Sequence, residues 1–377
     1  MMGRSEAEYG IPVFESSFGK TCIPSRYIKN PNFPMNVPFL NVQLPITGCI
    51  RNDNSVLEII RAVRPQWKTK SIQFELYTAG ITNKIFSAFV DSSDKLIFRV
   101  FGRNTEHFID REKELEAMEK LYKNHLAAPL YARFINGIVC GYLPGSTISI
   151  DDLKNPHIQK KICSTIAAYH NIDGVPIRND KNLFPFRKIR DFIGNIGDRA
   201  SSEQIDFINE LPNHLEEIQS LVLPLEEEIT FCHNDLLVHN ILFDPISEQV
   251  RFLDYEYADY NYAIFDLANH FCEYAGVENP DYSRCPNERY RREFLRMYLE
   301  ERFGKVDDNR LNQLTERCVL FQALAHLLWS SWSIVQSQNS TLDFDYISYA
   351  RLRYDQYLKL MKELKSSNKE TIKTKDC

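Results

Sequence analysis

Residues 233–257 read HNDLLVHNILFDPISEQVRFLDYEY. Asp235 is followed five residues later by Asn240 and, fourteen residues after that, by Asp254, with the strand-like runs ILF (241–243) and VRFL (250–253) between them. Moving a phosphoryl group to a hydroxyl asks little covalent help of a protein. It needs a carboxylate beside the attacking hydroxyl and hard oxygen ligands for magnesium between the phosphates. This segment offers both: Asp235 to orient the hydroxyl and accept its proton, Asn240 and Asp254 to hold the metal. The plain alternative is three turn residues between strands, the commonest use of Asp and Asn. Each alone reads that way; the three together at this spacing read as a site. His233 and His239 bring no third ligand at a spacing that builds a zinc centre, and read as packing or loop-orienting side chains.

Outward from this island the chain has two styles. Upstream it is strand-rich, with IQFELYT (72–78), KIFSAFV (84–90) and KLIFRVF (95–101), then a helical stretch, then YARFI (131–135) and GIVCGY (137–142) around Asn136-Gly137. The helix is expected from His107 to Asn124, with Asp110, Glu112 and Glu114 near its start and Leu115, Met118 and Tyr122 at helical spacing. Downstream of Leu143-Pro144-Gly145 the period turns helical, with helices expected over 158–170, 203–221, 289–302, 311–335 and 344–364. Strands at 229–233, 240–243 and 250–257 interrupt them. The expected architecture is α+β and two-lobed: a flexible extension over 1–36, a small β-rich N-lobe over 37–143, a large mainly helical C-lobe over 144–365, and a flexible lysine-rich tail over 366–377. In YTAGITNK (77–84) the backbone amides around Gly80, Ile81, Thr82, Asn83 and Lys84 suit ATP phosphates, although a hairpin with Gly and Asn is more often only a hairpin.

Composition narrows the function classes. Lys and Arg number 45 against 51 Asp and Glu in 377 residues, a net charge of -6 that gives the chain as a whole no footprint for nucleic acid. Nine scattered cysteines without a CxxC pair, and no basic-apolar leader, read as reduced thiols in a cytoplasmic protein. The apolar run 318–335 nearly has bilayer length but carries Gln322 and His326, so a buried helix is expected rather than stable membrane insertion.

An Asp, an Asn five residues on and a strand-ending Asp resemble the catalytic loop and metal aspartate of protein-kinase-like enzymes. Asn234 stands where their HRD has arginine and Glu256 where their DFG has glycine, which points to small-molecule kinases of the same fold. In that template Arg99, placed mid-strand, and Glu114, on the helix face of Met118 and Leu121, take the places of the strand-lysine and helix-glutamate pair.

LDYEYADYNYAIFDLANHFCEYAGV (253–277) closely resembles the signature of the choline/ethanolamine kinase family. The resemblance runs over residues 70–360, through HNDLLVHN and AHLLWSSWSIVQSQNSTLDFDYISYARLRYDQY (325–357). It implies a protein-kinase-like fold using ATP and Mg2+ to phosphorylate the hydroxyl of a small amino alcohol, a first step towards phosphatidylethanolamine, and it carries the expectation of a homodimer. It implies that Tyr257, Glu273, Trp329, Trp332 and Tyr349 form the amino-alcohol pocket, and that Asp266 braces the catalytic loop. Aromatic faces attract an ammonium and a carboxylate neutralises it. GITNK, CEYAGV and NSTLDFDY look more like ethanolamine kinases; choline kinases tend to carry tryptophan where Tyr274 stands, whereas Ala79 departs from the ethanolamine pattern. Ethanolamine is therefore the expected substrate, with choline or dual activity the alternative. An aminoglycoside-type phosphotransferase would favour acidic clusters, and a silent kinase-like binding module has no physical need for Arg99, Asp235, Asn240 and Asp254 together.

Overall fold

The computed structural model describes residues 37–45, 53–77, 83–102, 110–196, 206–340 and 343–375, without the side chains of Asn83 and 367–375. The extension expected over 1–36 and Gly80, Ile81 and Thr82 of the expected phosphate loop lie outside the described residues.

In the N-lobe, six strands form one sheet: β1 (Phe39–Leu40), β2 (Gln73–Tyr77), β3 (Asn83–Phe89), β4 (Lys95–Phe101), β5 (Leu130–Phe134) and β6 (Gly137–Gly141). Their spatial order is β1-β5-β6-β4-β3-β2, antiparallel except for the β1–β5 pair. Strand alternation gives the sheet two faces. Leu96, Phe98 and Val100 pack with Val56, Ile59 and Ile60 of α1 (Asn54–Val63) and with Trp67 on the outer face. Ile97 and Phe101 pack on the other face, towards α2 (Arg111–Lys123) and the large lobe. Arg99 shares that inner face, and its strand pairs on both sides, Arg99 opposite Ile85 and Ile138, so it cannot be an edge charge in water.

Helix α1 is not among the helices expected from sequence. Its signal was nonetheless present: Asp53 caps it by accepting from the Ser55 and Val56 amides, followed by apolar residues at 56, 59, 60 and 63. Helix α2 starts at Arg111, four residues later than expected, because Asp110 accepts from the Lys113 amide and sets the boundary.

The large lobe adds β7 (Ser146–Thr147), α3 (Pro156–His170), α4 (Phe184–Asn195) and α5 (Leu211–Val222). Next come β8 (Ile229–Cys232), β9 (Ile241–Asp244), β10 (Gln249–Phe252), β11 (Asp259–Tyr262) and α6 (Ala263–Cys272). Helices α7 (Glu288–Phe303), α8 (Asp308–Asn339) and α9 (Tyr346–Lys375) close the chain. Strand β9 lies between β10 and β7, and β8 pairs with β11, so the β8–β9 and β10–β11 connections present the polar loops side by side. The apolar stretch of α8 is 89% buried, a core helix against α9 and α6. Every residue of α6 is buried. Its polar residues Asp266, Asn269 and His270 share one face, turned to residues 233–236 rather than to solvent, and this ten-residue helix was not expected from sequence. Helix α9 runs to Lys375, past the expected end at Leu364 and through most of the segment expected as a flexible tail; residues 365–375 hold no Gly or Pro to stop it.

Candidate active site

The loop between β8 and β9, which carries the expected catalytic residues, is held from below by α6. Asp266 accepts from the backbone amides of His233 (2.9 Å) and Asn234 (2.8 Å), with His170 at 3.3 Å. Burial opposes its charge, yet these donors outweigh burial and hold its carboxyl below the usual range. Asn234, at a left-handed φ of 68°, donates to the Tyr257 carbonyl and accepts from Asn261, so it ties the loop to the 257–261 segment. His233 is buried, which lowers its pKa and keeps it neutral. Its Nε2 donates to the Leu253 carbonyl at 2.8 Å and its Nδ1 accepts from the Asp235 amide. One imidazole thus sets the spacing between the two aspartates on either side of the cleft floor. Exposed His239 takes no part.

Asp235 is half-buried at that floor. Desolvation raises its carboxyl well above the ordinary value, and the charges of Glu273 and Asp254 push the same way. Asn240 Nδ2 donates to both the Asp235 carbonyl and Oδ2 at 2.9 Å. That fixes the amide orientation and leaves Asn240 Oδ1 as the outward acceptor.

Across the cleft, Arg99 joins the lobes. It donates to Glu114 Oε1 at 2.8 Å and to Asp254 Oδ1 at 2.9 Å, while Arg111 takes the second Glu114 oxygen at 2.7 Å. Burial works against the Arg99 charge, but Glu114 and Asp254 outweigh it and raise its pKa. Asp254 sits at φ 61°, a left-handed backbone that Asp and Asn tolerate better than other non-glycine residues. Glu256 is a participant the sequence reading passed over as a mere departure from DFG. Its buried Oε2 accepts no hydrogen bond among the described residues but lies 3.8 Å from the Arg111 guanidinium, and desolvation with the Asp254 and Glu114 charges raises its pKa well above normal. Three carboxylates therefore meet two guanidiniums. Asn240, Asp254 and Glu256 carry the kind of hard oxygen donor a small divalent cation takes.

The expected pocket residues come together as an aromatic run. Ring centroids are 5.3 Å apart for Tyr257 and Trp329, 5.7 Å for Trp329 and Trp332, and 5.9 Å for Trp332 and Tyr346. Phe344 continues it to Tyr349. Asn269 on α6 anchors the run to the β8–β9 loop, accepting from the Trp329 indole at 2.8 Å and donating to the Asn234 carbonyl. Trp332 donates to the Tyr257 hydroxyl at 2.8 Å. Glu273 differs from the lone carboxylate the sequence suggested. Arg353, 2% exposed, donates to its Oε1 at 2.6 Å and to the Tyr349 hydroxyl from both Nε and Nη2. The contacts Glu273 makes with Arg353 run through Oε1, not Oε2. Burial and the Arg353 charge push the His326 pKa well down, so neutral His326 faces the guanidinium with Nδ1. Arg353 sits in the 325–357 stretch, and its signal is an arginine four residues after Tyr349 on a helix that must face the core.

The model of the choline/ethanolamine kinase family matches residues 74–358. The chain belongs to this family. Among curated proteins, this kinase is 34% identical to ethanolamine kinase 2 of Homo sapiens over 312 residues, 81% of this chain and 80% of the human one. Its fold is that of an ethanolamine kinase of Plasmodium vivax, at TM-score 0.72 and 24% identity over 83% of this chain and 90% of that one. A choline kinase of Cryptosporidium parvum gives TM-score 0.71 and 23% identity over 84% and 97%. The two-lobed protein-kinase-like fold is common to both, so backbone shape does not separate the two alcohols.

Proposed function

We propose that this kinase transfers the γ-phosphoryl group of ATP to the hydroxyl of ethanolamine. The observation that carries the reading is the half-engaged Glu273: Arg353 takes one carboxylate oxygen and leaves the other to the pocket, beside the aromatic run and electrostatically close to Asp235. A primary ammonium brings three N–H donors and needs acceptors; a trimethylammonium brings none and needs cage area. The tyrosines are weaker acceptors here than their number suggests. The Tyr257 and Tyr349 hydroxyls already accept from Trp332 and Arg353, and Tyr274 turns away towards the Leu153 carbonyl. Preference for ethanolamine thus rests on the Glu273 carboxylate and on Tyr282, whose buried hydroxyl has no hydrogen-bond partner among the described residues and whose pKa burial pushes up to about 12. The name of the human relative supports the same substrate.

In this reading Asp235 orients the hydroxyl and accepts its proton, and Asp266 with His233 keeps it aimed. Asn240, Asp254 and Glu256 would hold Mg2+, whose positive charge would offset the negative charge of the phosphates. Arg99 and the backbone around Lys84 would meet ATP. The six described cysteines are all free thiols, which suits a cytoplasmic enzyme.

Turnover over Michaelis constant, measured side by side, is expected to favour ethanolamine over choline by about ten- to a hundred-fold. Glu273→Gln should lower both, ethanolamine more. Equal values or a choline preference would overturn the ethanolamine reading. Choline remains the alternative because the aromatic run would also face a trimethylammonium.

Arg99 reaches two carboxylates with one planar fork, which an ammonium cannot copy. Arg99→Ala is expected to lower turnover over Michaelis constant for ATP by about one to two orders of magnitude, and Arg99→Lys to restore only part of it. An effect confined to the amino alcohol would remove Arg99 from the nucleotide site.

A further inference from the structure

On the outer face of the N-lobe sheet, opposite Arg99, lies a cleft of about 280 Å³ between the end of α1 and β2. Its wall comes from RAVRPQWKTK (61–70), which holds four cations and no acid in a chain of net charge -6. Pro65 opens a short turn after α1 and swings the following residues round, so Arg61 from the helix and Arg64 at its C-cap meet Lys68 and Lys70 from beyond the turn. Arg64 is committed: it pairs with Asp94 at 3.0 Å and stacks on Tyr131, which fixes the wall. Lys70 has Asp91 in its field, whereas Arg61, Lys68 and Lys70 are all exposed. Among the described residues no carboxylate lines the cleft, and Leu57, Ile60, Trp67, Ile72 and Phe74 supply its apolar lining.

We infer that this cleft docks the phosphate headgroup of an anionic phospholipid at a bilayer surface. Charge complementarity selects a phosphate. The volume admits a small phosphate ester and is tight for a nucleotide. The surroundings select a lipid over a soluble ester. Strand β2 is the free edge of the sheet, and Leu76, two residues beyond Phe74 on the same face, is 57% exposed, so an apolar path leads from the phosphate site to the rim. Cations beside exposed apolar side chains are the combination an anionic membrane surface holds. Docked this way, the outer face meets the bilayer while the Arg99 face and its cleft stay open to soluble substrates. The site does not depend on which alcohol the kinase uses.

The test is co-sedimentation with phosphatidylcholine vesicles with and without phosphatidic acid. The full chain should bind only the anionic vesicles. Arg61→Ala/Lys68→Ala/Lys70→Ala should weaken that binding on the order of a hundred-fold, and each single substitution about five-fold. Leu76→Ser should also weaken it. Lys154→Ala/Lys160→Ala/Lys305→Ala, which removes the same charge from exposed sites elsewhere, should bind as the parent does. Kinase activity without vesicles should be unchanged throughout. Equal loss in the control variant, no loss in the cleft variant, or displacement from vesicles by soluble glycerol phosphate, which would make the occupant a soluble ester, would each overturn the inference.

Discussion

Asp235→Asn is expected to lower turnover by about two or more orders of magnitude while leaving ATP binding intact, and at neutral pH to raise the melting temperature. The two effects have one cause. Asp235 sits where burial and the Glu273 and Asp254 charges all disfavour its ionised form, so the folded chain holds its pKa well above the unfolded value. For a raised carboxyl the sign is fixed: its contribution to stability is full below the unfolded pKa and is lost as pH rises through the folded one. An amide never ionises and escapes that loss. It can also turn its oxygen to Asn240 Nδ2 and keep the bond now made to Asp235 Oδ2. The stability gain should shrink as the medium is made acid, because there both chains are neutral at 235. In the parent, turnover over Michaelis constant should fall towards acid as the base is protonated. Thermal melts and steady-state kinetics across pH check both. A turn residue would give the opposite pattern, with activity near normal and no pH-dependent gain in stability.

That pairing of cost and function also explains which parts of the molecule the sequence discloses. The N-lobe strands were legible because their apolar residues alternate and Asn136-Gly137 marks a turn. Asp235, Asn240 and Asp254 were legible because their spacing along the chain is what brings them to one cleft. Arg353 was not. It lies eighty residues from Glu273 along the chain, and only the packing of α9 against α8 brings the two together. Glu256 was hidden differently: two residues after Asp254, its burial beside Glu114 and Arg111 depends on where α2 docks. Helix α6 was hidden because it is only ten residues long and buried throughout, and its face of Asp266, Asn269 and His270 meets the 233–236 loop rather than solvent. Local signals report elements and loop chemistry, whereas partners of buried charges are a property of the tertiary contacts.

Asp254→Asn is expected to abolish activity within the sensitivity of an assay, a fall of about three orders of magnitude or more, and to remove the magnesium dependence of nucleotide binding. Asparagine is the discriminating replacement. It tolerates the left-handed backbone found at 254, φ 61°, which alanine adopts only with strain. Its amide oxygen can still accept from Arg99 Nη2, which now lies 2.9 Å from Asp254 Oδ1. Shape, turn and the contact between lobes therefore survive, and the change is confined to one negative charge. If Asp254 were only a turn former bonded to Arg99, the variant would work. If the charge serves a divalent cation shared with Asn240 and Glu256, the site drops from two carboxylates to one, and the remaining Glu256 is itself biased towards its neutral form by burial. Nucleotide titrations at several magnesium concentrations, with the melting temperature as a check on folding, separate the two. Loss of activity with an unchanged magnesium dependence would show that Asp254 acts through Arg99 rather than through the metal.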